Sequence, residues 1–194
     1  MLEFNKDRHE YKYNGVILPS VSEIMKPLAE EYYAKVLKFN DLSEASNYGI
    51  GVHKAIEYYI SFGLVSVEYP KEVMAFIQFL QDEKLEVLYS ERQLTNGVFC
   101  GTVDLVCKHK ESKRIFLVDI KATSVIADPL LEVQLCAYEE LLTYVGIYVD
   151  GTYVLHLKKT GTYKFKPIAI NRRKWGALYG NWKKNRSDSD TVQR

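Results

Sequence analysis

Cysteine is scarce in this 194-residue chain: Cys100, Cys107 and Cys136 are an odd number and show no C-x-x-C spacing. That speaks against a disulfide framework, a zinc site or an iron–sulfur cluster, and it makes a reducing cytosol the expected compartment. Long apolar runs are missing as well. None approaches the roughly 20 residues of a membrane span, so no membrane association is expected. The opening MLEFNKDRHEYKYN lacks the apolar stretch of a signal peptide. There are no internal repeats and no low-complexity segments. Acidic residues are absent from the whole interval between Gly151 and Ser187.

What is present argues for one packed unit. Apolar residues make up 47% and aromatics 13% of the chain, enough for a real core in a domain of this size. A single domain is expected over residues 1–186, with 187–194 a disordered tail. The net charge of +1 hides a division. Residues 1–150 hold 15 Lys/Arg against 23 Asp/Glu, and residues 151–194 hold 11 against 2. Clustered acids beside a basic C-terminal quarter suggest a cation site with a phosphate-binding rim, for which Lys158, Lys159, Arg172, Arg173 and Lys174 are the candidates. The plainer reading is a solvated basic face.

Turn residues and periodicity predict the elements. Tyr11–Ile17 reads as a small hairpin about Asn14-Gly15, and Ser20-x-x-Glu23 as a capping box opening a short helix. A second helix is expected over Ala29–Phe39, a longer one over Ser43–Phe62, and another from Lys71 to about Glu86 after Pro70. Glu86–Thr95 reads as a strand, and Asn96-Gly97 as the two-residue loop of a hairpin. That register sets Glu91 opposite Thr102 and makes Glu91 and Asp104 diagonal neighbours on one face, about 7–8 Å apart. A helix is expected over Pro129–Tyr144 with Asp128 as its N-cap, then strands at Thr152–Lys158 and Tyr163–Pro167. Asn171 caps a closing helix whose Trp175, Leu178, Tyr179 and Trp182 form an apolar stripe, read as core.

Two strands carry the chemistry. Gly101-Thr-Val-Asp104-Leu-Val-Cys and Phe116-Leu-Val-Asp119-Ile-Lys121 each place an acid where a buried strand would take Val or Ile. Buried ionised groups are costly unless paired or bound to metal, so such breaks mark function. An acid-x-Lys triplet alone is weak evidence. Glu10-Tyr-Lys12, Asp82-Glu-Lys84 and Glu111-Ser-Lys113 also occur, all in polar surroundings. Only Asp119-Ile-Lys121 ends an apolar strand and follows an acid on the neighbouring one. On the helices, His53 and Glu57 are four apart and share a face, as do Gln134 and Tyr138. A lone His on a partly apolar helix is more often structural than a ligand. The acids further on raise its standing.

Helix, three strands, helix, strand, with Asp on the second strand and D-x-K on the third, resembles the core of the PD-(D/E)XK nuclease superfamily. The details look like its RecB-like and phage-exonuclease branch. The resemblance rests on His53, Asp104 in GTVDLV, Asp119 and Lys121 in DIK, and Gln134 and Tyr138 in QLCAY, and spans about residues 43–157. It implies a restriction-endonuclease-like αβββαβ core: a central mixed sheet flanked by helices, with added N-terminal helices and a basic C-terminal helix. It implies Mg²⁺ or Mn²⁺ held by Asp104, Asp119, the Ile120 backbone carbonyl and His53, with Glu91 a second-tier ligand and Glu57 a third candidate. It implies that Lys121 orients the attacking water and that Gln134 and Tyr138 position Lys121 or touch the phosphate backbone. DNA is the implied substrate and exonucleolytic cleavage in phage or mobile-element recombination or repair the implied role, in a bacterial host cytosol. It leaves room for a homo-oligomer and for a recombination or single-strand-binding partner. A non-catalytic nucleic-acid-binding module and a structure-specific endonuclease are the competing readings. The superfamily's Pro-Asp pair is absent, and so are the four cysteines of its iron–sulfur relatives; no cluster is expected.

Overall fold

A computed structural model describes residues 1–5, 8, 10–36, 42–122 and 126–192, the last six and residues 42–45 by their backbone alone. A three-stranded antiparallel sheet comes first: β1 (Leu2–Asn5), β2 (Glu10–Tyr13) and β3 (Val16–Leu18). The expected hairpin is its second half. Asn14 and Gly15 both adopt positive φ, as a two-residue turn between twisted strands requires. Then come α1 (Val21–Val36), α2 (Leu42–Phe62) and α3 (Pro70–Asp82). The Ser20 hydroxyl accepts the Glu23 N–H at 3.0 Å, which is half of the predicted box. The two short helices expected beyond it are one, running through Pro27 to Val36; residues 37–39 of the expected second helix lie outside the described residues. Apolar burial of Val21, Ile24 and Met25 carries α1 over its proline.

The central sheet has the order β4 (Leu85–Thr95), β5 (Cys100–His109), β6 (Ile115–Lys121), β7 (Gly151–Leu157), β8 (Tyr163–Pro167). All its pairs are antiparallel except β6 with β7, which α4 (Asp128–Tyr144) connects. α1, α4 and α5 (Arg172–Val192) pack on one face around Leu117, Leu135 and Trp175, and α2 and α3 on the other around Val118, Ile120 and Phe76. β6 is therefore buried from both sides, which is why its sequence is apolar on both alternations. Each fully buried Leu, Ile or Phe in these layers stabilises the fold by about 1.5–3 kcal/mol. This is the mixed α+β, restriction-endonuclease-like arrangement that the motif order implied.

Two local expectations are corrected here. The β4–β5 loop has four residues, not two. Asn96 Oδ1 accepts the N–H groups of Val98 and Phe99, each at 3.0 Å, and Thr95 pairs with Cys100. The register therefore moves by two, bringing Glu91 opposite Asp104 between the pairs Ser90–Leu105 and Arg92–Val103. An even shift keeps the facing unchanged, so the two acids still share a face. Asp128 is the first residue of α4 rather than its N-cap, which is Ala127; the Asp128 carboxylate instead pairs with Lys166. α5 is described as far as Val192. Among the described residues, no helix is long and apolar enough to cross a membrane.

Candidate metal centre

The site forms where β5 and β6 part. Their ladder ends at Leu105–Val118. Beyond that pair Asp104 Oδ2 accepts the Ile120 N–H at 2.7 Å, a side chain replacing the next backbone rung. The Ile120 carbonyl is 3.1 Å from His53 Nε2, so both backbone polar groups of Ile120 turn into the site. A carbonyl can only accept, so Nε2 carries the hydrogen. The other ring nitrogen, Nδ1, faces Glu91 Oε1 at 3.2 Å and Asp104 Oδ1 at 3.8 Å. Burial draws the imidazole's pKa down, but the charges of Asp104 and Glu91 outweigh it and push it up to about 9. In the metal-free protein at neutral pH the ring is an imidazolium, and its proton occupies the gap between two carboxylates.

Glu91 reaches this point from a left-handed backbone conformation, φ 46°, inside an otherwise extended strand. Such a conformation in a non-glycine residue costs about 1–3 kcal/mol and persists where surrounding structure enforces it. His53, Glu91 and Asp104 each offer a ligand atom, all within 4.8 Å of one another. Asp119 is 2% exposed, and its Oδ1 has no hydrogen-bond partner among the described residues. Lys121 Nζ lies 2.6 Å from Oδ2, an ion pair whose angles miss hydrogen-bond geometry. Burial is the main cause raising the Asp119 carboxyl above its ordinary range, and the nearby Asp104 adds to it while Lys121 opposes both. Asp104 is raised by the same burial, against His53 and Lys121. Burial pulls Lys121 down, and Asp119 and Asp104 more than restore it. One imidazole nitrogen, hard carboxylate oxygens, a backbone carbonyl and an orphaned buried oxygen fit a small divalent cation such as Mg²⁺ or Mn²⁺.

Tyr138 on α4 closes the floor. Its hydroxyl accepts from Gln134 Nε2 at 3.3 Å, and its pKa is raised by burial and then by the charge of Asp104. The structure thus brings Gln134 and Tyr138 together. The ring lies so close to β5 that a Cβ on Gly101 would fall 2.6 Å from Tyr138 Cε1 and 3.2 Å from Val21 Cγ2. Gly101→Ala is expected to cost about 1–3 kcal/mol through this overpacking, lowering the melting temperature by about 2–10 °C; a scanning calorimetry trace checks it.

A cleft of ≈ 630 Å³ opens over His53, Glu57, Glu91, Asp104 and Tyr138. Its far wall is the N-terminal sheet, with Phe4 stacked on Tyr11 at 4.5 Å and the Tyr11 hydroxyl 2.7 Å from Thr102 Oγ1. Sequence reasoning passed over Phe4, Tyr11, Lys54 and Thr102 as site residues, because only long-range packing brings them here. The basic candidates do not form one rim. Lys158 and Lys159 follow the end of β7, at the same end of the sheet as Lys121, and Lys159 Nζ lies 4.4 Å over the Tyr48 ring of α2. Arg172, Arg173 and Lys174 open α5, on the opposite face, where Arg172 pairs with Glu139 at 2.7 Å.

No family model matches the chain, and no curated protein does. Among solved structures it is similar to a phage-related exonuclease from Haemophilus somnus 129PT, at 10% identity over 84% of this chain and 88% of that one, with a TM-score of 0.40. It is also similar to a protein described as SSO0001, at 13% identity over 81% and 82%, with a TM-score of 0.34. Likenesses this distant assign neither protein's properties to this one.

Proposed function

We propose that this chain is a divalent-metal-dependent deoxyribonuclease, an exonuclease acting on DNA ends or single strands in phage or mobile-element recombination or repair. The observation that carries the reading is the convergence of His53, Glu91, Asp104, the Ile120 carbonyl, Asp119 and Lys121 at the parted ends of two central strands. A protein that only binds nucleic acid gains nothing from burying Asp119 without a hydrogen-bond partner among the described residues.

His53, Asp104, Asp119 and the Ile120 carbonyl would hold the metal, with Glu91 as a further or water-bridged ligand. When bound, the cation supplies Lewis acidity at the scissile phosphate and lowers the pKa of a water. Lys121, whose charge Asp119 and Asp104 sustain, orients the attacking water and offsets negative charge developing on the phosphoryl oxygens. Tyr138, backed by Gln134, presents a polar tip from the cleft floor. Lys158 and Lys159 stand at the site's end of the sheet as contacts for the DNA backbone.

The test is degradation of end-labelled single- and double-stranded DNA, linear and circular, with Mn²⁺, Mg²⁺ or EDTA. Loss of linear DNA only with metal, sparing circles, is the expected result, and the label position gives the polarity. Cutting of circles would make it an endonuclease. Binding without cleavage under every metal would leave the non-catalytic module. Mn²⁺ is expected to support faster turnover than Mg²⁺ because one ligand is an imidazole; equal rates would remove His53 from the ligand set.

A further inference from the structure

We infer that Lys121, His156 and Lys164 form a phosphate track across β6, β7 and β8, along which a polynucleotide strand leads to the metal centre. Register builds the row. Lys121 pairs with His156 in the parallel β6–β7 ladder, and His156 with Lys164 in the antiparallel β7–β8 ladder. Their chain neighbours Ile120, Leu155 and Phe165 all join the core beneath α2 and α3. By the alternation of strands, the three basic residues therefore share the opposite face. Strands lie about 4.8 Å apart, so the row spans about 10 Å. Successive phosphates rise about 3.4 Å along a B-form strand and stand further apart in an extended one, so two or three fit.

Lysines on an edge strand such as β8 also guard a sheet against pairing with another. That accounts for their presence on β8 and not for the alignment of Lys164 with Lys121 through an imidazole, which carries an N–H in either protonation state. The carboxylates on this face are already engaged one step back along the strands, Asp119 by Lys121 and Asp128 by Lys166. Lys164 is exposed, and among the described residues it has no ion pair. Position in the sheet gives the row its use. The cleft walled by the N-terminal sheet lies over β4 and β5, on the other side of the metal centre from β7 and β8. A strand crossing this end of the sheet sets its terminus in the cleft and its continuing phosphates on the row. That the row leads to a reacting phosphate rests on the nuclease function proposed above.

The test titrates fluorescein-labelled oligo(dT) into the full chain in EDTA, where no metal-dependent cleavage enters. Lys164→Gln, on an exposed surface, should weaken binding about three- to fivefold. It should flatten the slope of log affinity against log salt by about 0.7, the value of one phosphate contact on a single strand. Adding His156→Ala should bring the loss to about tenfold. Lys110→Gln makes the same change of charge on the exposed β5–β6 turn at the far end of the sheet, and should alter neither quantity. Equal losses in Lys164→Gln and Lys110→Gln, no loss in Lys164→Gln, or no binding by the unaltered chain would each overturn the track. Cleavage of the same DNA with Mn²⁺ or Mg²⁺ separates the track from the nuclease function. A chain that cuts but whose affinity ignores Lys164 keeps the nuclease and loses the track. One whose binding depends on Lys164 but that cuts with neither metal loses the nuclease and keeps the row as a polynucleotide site.

Discussion

Asp119→Asn is expected to lower metal-dependent DNA cleavage by about a thousandfold or more, equivalent to about 4 kcal/mol of transition-state stabilisation. The substitution keeps the shape of the side chain and removes its charge. Lys121→Ala should lose about 10²–10³-fold, because it removes one preorganised positive charge rather than a metal ligand. What separates these losses from simple unfolding is stability. The Asp119 carboxylate is buried, with no hydrogen-bond partner for its Oδ1 among the described residues, so its ionisation costs the fold free energy. Neutralising it relieves that cost and gives up the pairing with Lys121, and the two changes offset. The melting temperature of Asp119→Asn in EDTA is therefore expected to stay within about 3 °C of the wild type. Full activity in Asp119→Asn, or a collapsed melting temperature accompanying its loss, would remove Asp119 from the reacting centre.

The second large effect is on metal binding, and its pH dependence is set by His53. Saturating Mn²⁺ at about a hundredfold above its dissociation constant should stabilise the chain by about 2.7 kcal/mol, raising the melting temperature by about 5–10 °C. Ligation by the imidazole requires its Nδ1 proton to leave. That proton's pKa is pushed up to about 9, so one proton is displaced on binding and affinity should fall about tenfold for each unit of pH from 8 to 7. The sign for the metal-free protein follows from the same groups. A histidine whose folded pKa is raised stabilises fully below its ordinary value near 6.5 and loses that contribution as the pH passes about 9. Asp104 and Asp119, also raised, act in the same direction at lower pH: each favours the fold while protonated and loses that contribution as pH rises through its folded pKa. The metal-free protein should therefore become less stable from acidic toward alkaline pH, and the metal should protect most where the bare protein is weakest. Calorimetric titration of Mn²⁺ at several pH values, beside His53→Gln, checks this; a wild-type affinity independent of pH would refute the imidazolium.

Much of the site was legible because its residues violate the rules of their elements. Asp104 and Asp119 interrupt strands that periodicity marks as buried, and Lys121 ends one of them. The facing of Glu91 toward Asp104 was correct although the hairpin register was off by two, since side-chain direction depends only on parity. The loop itself was misread because Asn96 uses its side chain to organise two further residues, a choice a dipeptide signal does not encode. The wall built by Phe4 and Tyr11 was illegible: its hydrogen bond to Thr102 joins residues 91 positions apart, and nothing local signals it. The rim was also misjudged as one surface. Its residues are neighbours in composition, yet β8 and the turn into α5 carry Arg172 to the other face of the sheet from Lys159.

The parallel pairing of β6 with β7 also governs when the centre can exist. β6 is bonded on one side to β5, made just before it, and on the other to a strand that begins only at Gly151, after all of α4. Closing that crossover brings together distant parts of the chain, which is slow relative to hairpin formation. During synthesis, a chain that stops short of Leu157 has Asp119 on a strand with half its ladder missing, and the layer that α5 completes is still absent. The acids, the lysine and the tyrosine floor therefore come into register late, and a newly made molecule acquires its centre only as its last central strands dock.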